Sequence, residues 1–267
     1  MSPSRKRGES MLLLAALFGL CIGSFLNVVI YRLPLGLSIV TPRSRCPSCK
    51  HPIAWYDNIP LLSWLLLAGK CRHCGSAISF RYFLVELLAG VLSVATFFYF
   101  QDLVLYFAYF CFLIAPLLAI IFIDLDHRII PDSISLPGIG AGVLVHYLDS
   151  FPGEGGSAFL DSVAGILVGG GFLFLVAFAY EKIKKKEGLG GGDVKLAAML
   201  GAFFGWKQVL MILLISSVLG SVVGLVIISI KKNWQYAIPF GPFLAVAAYL
   251  QLFFGTPILY WYLSLFH

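Results

Sequence analysis

The sequence predicts an all-α polytopic membrane protein with about eight transmembrane helices and a cytoplasmic zinc-binding loop domain. Three observations predict it. Of the 267 residues, 60% are hydrophobic and only 12% charged, and the mean hydropathy is +0.92, far from the composition of a soluble domain. The apolar residues come in runs near the length that a helix rising about 1.5 Å per residue needs to cross a ~30 Å hydrocarbon core. Four of the six cysteines form two CxxC pairs in the one sizeable polar stretch, residues 31–82.

The expected spans are about 10–30, 83–101, 103–123, 133–148, 158–180, 194–206, 208–230 and 238–263. Met11 to Ile30 is too long for a signal-peptide core and leads directly into Tyr31-Arg32, so it reads as a retained first helix. The fourth and sixth spans are short, which suits a thinned bilayer or a wet cavity. Three parts follow: residues 1–30, a tail and first helix; 31–82, the cytoplasmic loop domain; and 83–267, the remaining helices. Within the loop, the apolar run from Ile59 to Ala68 is too short to span and reads as interfacial or buried. Trp55, Tyr56 and Trp64 suit the headgroup level. No internal repeat is expected.

The net charge of +6 is not that of a nucleic-acid binder, because the basic residues sit in short loops where they set topology. Arg32, Arg43, Arg45, Lys50, Lys70, Arg72 and Arg81 lie in the 31–82 loop. Arg128, Lys182, Lys184–Lys186 and Lys231-Lys232 follow the third, fifth and seventh spans. These loops are expected on the cytoplasmic side, with both chain ends outside. The N-terminal Arg5-Lys6-Arg7 argues the opposite and is outvoted.

Cys46-Pro-Ser-Cys49 and Cys71-Arg-His-Cys74 can each place two thiolates on one metal, and together they complete a tetrahedral four-cysteine zinc site. The alternatives are two disulfides or a redox CxxC. A reducing cytoplasmic loop disfavours the first, and no βαβ pattern supports the second. Four thiolates leave no open position for water, so the zinc is expected to be structural. His51 and His73 are then surplus, and Cys21 and Cys111 are small packed hydrophobes in apolar helices.

Asp124, Asp126 and Asp132 follow one apolar run, and Gly188-Leu-Gly-Gly-Gly-Asp193 opens another. Carboxylates at a bilayer edge default to a functional hypothesis. On the expected topology Asp124 and Asp193 share the cytoplasmic face. Two carboxylates brought to about 3 Å hold one proton between them, so one can activate a water against a peptide carbonyl while the other protonates the oxyanion. The glycine run is no phosphate loop, since Lys195 is followed by Leu196. Glycine here lets backbone or an extended substrate approach Asp193. Asp126, Asp132, Gly190, Gly192 and Lys195 are expected to support the pair, and Asp132 also suits a helix cap. A zinc-bearing transporter with a broken helix is the competing reading, disfavoured by spans that are mostly apolar.

The chain resembles the bacterial type IV prepilin peptidases, membrane aspartyl proteases of the GxGD class. The matching elements begin with Gly23-Ser-Phe-Leu-Asn-Val-Val-Ile-Tyr-Arg-Leu-Pro34, both CxxC pairs and Asp57-Asn-Ile-Pro-Leu-Leu-Ser-Trp64. They continue with Arg81-Tyr82, Glu86, Asp124-Leu-Asp-His-Arg-Ile-Ile-Pro-Asp132 and Gly190-Gly-Gly-Asp-Val-Lys195. The resemblance implies that Asp124 and Asp193 are the catalytic pair. It also implies an inner-membrane enzyme that cuts the short basic leader from prepilins and pseudopilins after a glycine. The new N-terminal amine is then methylated with S-adenosylmethionine, for which the 31–82 loop is the expected region. A peptidase lacking methyl transfer is the alternative within the class. A presenilin-like enzyme would carry Tyr-Asp in a helix, whereas Tyr56-Asp57 lies in the loop, and an archaeal-type enzyme would lack the CxxC pairs.

Overall fold

The computed structural model describes residues 3–149, 157–185, 190–232 and 238–264. Among these residues the regular structure is helical, and the only β contacts are two isolated bridges. The helices are α1 (Pro3–Arg32), α2 (Leu62–Leu66), α3 (Phe80–Phe100), α4 (Leu103–Tyr109), α5 (Ala115–His127), α6 (Asp132–Asp149), α7 (Ser157–Lys184), α8 (Gly191–Lys231) and α9 (Gly241–Ser264). A π-helical turn, Phe110–Ile114, joins α4 to α5 in one rod. Five of the described helical stretches are long and apolar enough to cross a membrane: Glu9–Leu35, Phe80–Phe100, Leu103–His127, Ser157–Ile183 and Gly191–Lys231. The short fourth expected span falls on α6 and the last on α9.

The sixth and seventh expected spans are one 41-residue helix, α8, broken at Gly205 (φ 73°, ψ 174°). That conformation is open to glycine alone at little cost. The Ala202 carbonyl, whose helical donor lies past the break, accepts instead from the buried Ser162 hydroxyl at 2.8 Å. A Cβ on Gly205 would stand 3.1 Å from Asp161 Oδ2, which puts a carboxylate beside the start of the second limb, where a helix dipole favours it.

The chain forms two compact units, Met1–Ala119 and Ile120–His267. In the first, α1 lies close along α3 because Gly23 carries no side chain; a Cβ there would sit 2.7 Å from Glu86 Cα. The buried Ser93 hydroxyl donates to the Ala15 carbonyl and accepts from Tyr106 O–H, both at 2.6 Å. One serine thus ties α1, α3 and α4 together without leaving a polar group bare in an apolar setting.

In the second unit, α7 meets α8 along small residues spaced four apart, Gly165 and Gly169 against Ala197 and Gly201. Gly165 and Gly201 touch backbone to backbone, and a Cβ on either would collide with the other's carbonyl. Lipid supplies no hydrophobic drive between helices, so such close backbone contact is what holds them. Leu196, Met199, Leu200 and Phe203 are buried on the same limb. This seam fixes the limb whose first turn carries Asp193.

Candidate active site and metal centre

Asp124 lies one turn before the end of α5 and is only 4% exposed. The helix stops because Arg128 takes a left-handed φ of 56°, its N–H still bonded to the Asp124 carbonyl at 2.9 Å. Chain then passes through Ile129, Ile130 and Pro131 into α6. Gly241, at the first position of α9, donates its N–H to Asp124 Oδ2 at 3.0 Å. The first N–H groups of any helix lack internal partners, so α9 offers a donor that the carboxylate satisfies, and the bond holds Asp124 by one oxygen.

Asp193 sits half-buried in the first turn of α8, its N–H bonded to the Gly190 carbonyl at 3.0 Å. The segments that carry Asp124 and Asp193 meet at Ile130. A Cβ on Gly192 would lie 2.9 Å from Ile130 Cβ and 3.4 Å from Ile130 N, and a Cβ on Gly241 would lie 3.1 Å from Ile130 Cδ1 and 2.7 Å from Asp124 Oδ2. Two glycines, one from each flanking helix start, therefore admit the same isoleucine. Gly190 makes only an ordinary contact, with Asp193 Oδ2 3.5 Å from its Cβ position, and Gly191 faces open space. Gly188 and Leu189 lie outside the described residues.

Asp132 opens α6, and its carboxylate is forked on Lys195 Nζ at 2.8 and 2.7 Å. The expected capping role gives way to an ion pair between α6 and the first turns of α8. Exposed pairs of this kind contribute about 0–1 kcal/mol, so its value is in register. Asp126 is exposed at the end of α5, two residues on from Asp124 and so on a different face.

The four cysteines gather with all sulfur atoms within 4.8 Å of one another, and Cys46 Sγ is 3.8 Å from Cys74 Sγ. Two thiolates at about 2.3 Å on a tetrahedral zinc stand about 3.8 Å apart, whereas a disulfide needs about 2.05 Å. The donor set fits zinc. The two CxxC turns are copies of one another. Cys46 O and Cys71 O accept from Lys50 N and Gly75 N, while Cys46 N and Cys71 N donate to His51 O and Ser76 O. Lys50 and Gly75 both have left-handed φ, 59° and 71°, and bridges Arg45–Pro52 and Lys70–Ala77 close each turn. The likeness is in backbone geometry, and only the two CxxC signatures carry it in sequence.

The Cys46 thiol is drawn down to about 6, first by the Cys49 backbone N–H and then by the Ser76 hydroxyl. Cys74 is lowered by the same hydroxyl. Cys49 goes the other way, to about 11, so the lowering toward thiolate, the form that binds metal, falls on Cys46 and Cys74. His51 and His73 stack on each other at 4.2 Å, outside the sulfur cluster. Arg72 forks on Asp57, the closest contact 2.6 Å, tying the second CxxC turn to the turn Trp55–Asn58.

Two partners of these groups were not foreseen. Gly241 follows Pro239-Phe240 and precedes Pro242, a helix-start signature that could have marked a free donor. Ile130 had no signal, being one apolar residue among many. Glu86, one of the matching elements, is buried in α3 and accepts from Leu61 N at 2.8 Å, a contact that pairs residues far apart in the chain.

Comparison with known proteins gives a consistent picture. The family model for the bacterial peptidase A24 N-terminal domain matches residues 17–100, and that for the type IV leader peptidase family matches residues 111–225. A prepilin leader peptidase/N-methyltransferase of Aeromonas hydrophila is 40% identical, over 95% of this chain and 94% of its own. One of Stutzerimonas stutzeri is 39% identical, over 96% and 94%. One of Myxococcus xanthus is 48% identical, over 79% of this chain and 61% of its own. No solved structure matches the chain.

Proposed function

The chain belongs to the type IV leader peptidase family, and from that premise we propose that it is a bifunctional processing enzyme of the bacterial inner membrane. It cleaves the leader peptide from type IV prepilins and pseudopilins and then N-methylates the new terminal residue. Relatives alike over nearly their whole length, all named for both activities, favour this over a peptidase alone. A zinc-bearing transporter is not favoured.

Cleavage is the work of Asp124 and Asp193. The observation that carries this is the packing of both their segments on Ile130, with Gly192 and Gly241 cut back to make room. The Gly241 N–H occupies Asp124 Oδ2, which leaves the other oxygen to share a proton with Asp193. One carboxylate takes a proton from the attacking water while the other gives one to the carbonyl oxygen. The Asp132–Lys195 pair keeps α6 and α8 in register beside the dyad, and Gly190 and Asp126 shape its edges. The loop charges support a cytoplasmic-face site.

Residues 31–82 form the zinc-bearing, methyl-transfer part, between the anchoring residues 1–30 and the protease part, 83–267. Cys46, Cys49, Cys71 and Cys74 hold a structural zinc. S-adenosylmethionine would supply the methyl group; among the described residues no side-chain set marks its pocket.

The test is to give purified protein a prepilin and labelled S-adenosylmethionine, scoring cleavage and methylation separately. Asp124→Asn and Asp193→Asn should each lose leader cleavage by at least ~10²–10⁴-fold, and the double variant should be no worse, because members of one catalytic unit fail together. Both variants should still methylate a pre-cut pilin. Near wild-type cleavage by either would overturn the assignment.

A further inference from the structure

The segment before α3 carries an apolar surface that neither activity explains. α2 has two unlike sides. Ser63 and Trp64 face inward: Ser63 Oγ donates to Tyr56 O and accepts from Ile59 N, each at 3.0 Å. Trp64 Nε1 donates to Ile78 O at 3.3 Å, and its ring packs on Phe80 and Phe83. Leu62, Leu65 and Leu66, spaced to share the other face, are 48%, 58% and 75% exposed, and nearby Trp55 is 81% exposed. Leucines clustered on one side of a polar segment mark an interaction surface.

Depth identifies what covers it. Both ring partners of Trp64 lie in the first turn of α3, where that helix enters the stretch able to cross the membrane. Phe80 is itself 56% exposed on that stretch, so α2 packs, through Trp64, beside a surface already given to lipid. Charge points the same way. Residues 31–82 hold seven Lys and Arg against one acid, Asp57, and Arg72 already pairs with it. Basic residues flanking an apolar helical face are what an anionic leaflet attracts.

We propose that α2, with Trp55, is an interfacial anchor that seats the zinc-bearing segment on the anionic surface of the bilayer in which the chain is embedded. The leucines enter the boundary between headgroups and acyl chains, and the surrounding cations face lipid phosphates.

The test uses the full-length, zinc-loaded chain in nanodiscs of phosphatidylcholine with and without phosphatidylglycerol. Photoreactive p-benzoylphenylalanine replaces Leu62, Leu65 or Leu66, and adducts are read by mass spectrometry. The expected products are phospholipid adducts at all three positions, enriched in phosphatidylglycerol beyond its share of the disc. Absence of lipid adducts would overturn the proposal, as would replacement of lipid by pilin adducts when prepilin is added; lipid adducts without that enrichment would overturn its anionic part. Independently, Leu65→Glu with Leu66→Glu should abolish lipid-dependent protection of residues 55–69 from hydrogen exchange while zinc content is unchanged. Protection that survives the two glutamates would also refute the anchor.

Discussion

Replacing Gly192 with alanine separates two explanations of the glycine run. If glycine serves the internal fit between α8 and Ile130, the added methyl meets Ile130 Cβ at 2.9 Å and Ile130 N at 3.4 Å. Carbon atoms rest at about 3.5–4.0 Å, so the isoleucine must retreat by roughly 0.6–1.1 Å. It cannot turn aside, because the atoms met are its own Cβ and backbone. Overpacking of this kind costs about 1–3 kcal/mol, partly offset by the roughly 1 kcal/mol by which alanine outranks glycine in a helix. Net stability should therefore fall by no more than about 2 kcal/mol. Activity should fall further, because Ile130 also rests against Gly241, which holds Asp124. A misplacement near 1 Å costs on the order of 10²-fold in rate. The assay is kcat for leader cleavage in detergent, with thermal stability measured on the same preparations. Gly191→Ala, which meets nothing within 4 Å, should cleave normally. If Gly191→Ala is the damaging change and Gly192→Ala is silent, the glycines serve the approach of substrate and the packing argument fails.

Further outcomes are expected elsewhere. Purified chain should carry about one zinc, lost on Cys46→Ser or Cys71→Ser, and metal analysis with both activity assays should find methylation hit harder than cleavage; the reverse on a pre-cut pilin would reassign the loop. Cysteine-accessibility labelling should place residues 40–78 on the cytoplasmic side, together with 182–190, and 150–156 outside, although 150–156 and 186–189 lie outside the described residues. Labelling of 40–78 from the outside would remove both the orientation and the reducing-compartment argument for zinc. Gly201→Ala should force α8 from α7 and cost stability at or above the upper end of about 1–3 kcal/mol, read as a lowered unfolding temperature; an unchanged one would refute the small-residue seam.

Much of this was legible along the chain, because membranes enforce simple rules. A helix must satisfy its own backbone and present apolar side chains for about twenty residues, so α1, α3, the α4–α5 rod, α7 and α8 announce themselves in composition. Cysteine pairing is just as local: two CxxC turns are competent wherever they meet, and the 3.8 Å sulfur separation fits a zinc-binding cluster. The candidate aspartates stood out because charge at a bilayer edge is costly.

Only the tertiary structure decided how those aspartates are held. No pattern links Ile130 to Gly192 and Gly241, since their meeting depends on where three helices begin and end and not on any periodicity. The same holds for Gly205, where one left-handed residue turns two expected spans into the limbs of a single helix, with the broken carbonyl rescued by Ser162 on α7. Asp132 could be read as a cap from its neighbours, and became an ion-pair partner because folding brought Lys195 within 2.7 Å. Local chemistry is written in adjacent residues, whereas close approach is a property of pairs distant in the chain, and glycine marks where approach is possible without saying to what.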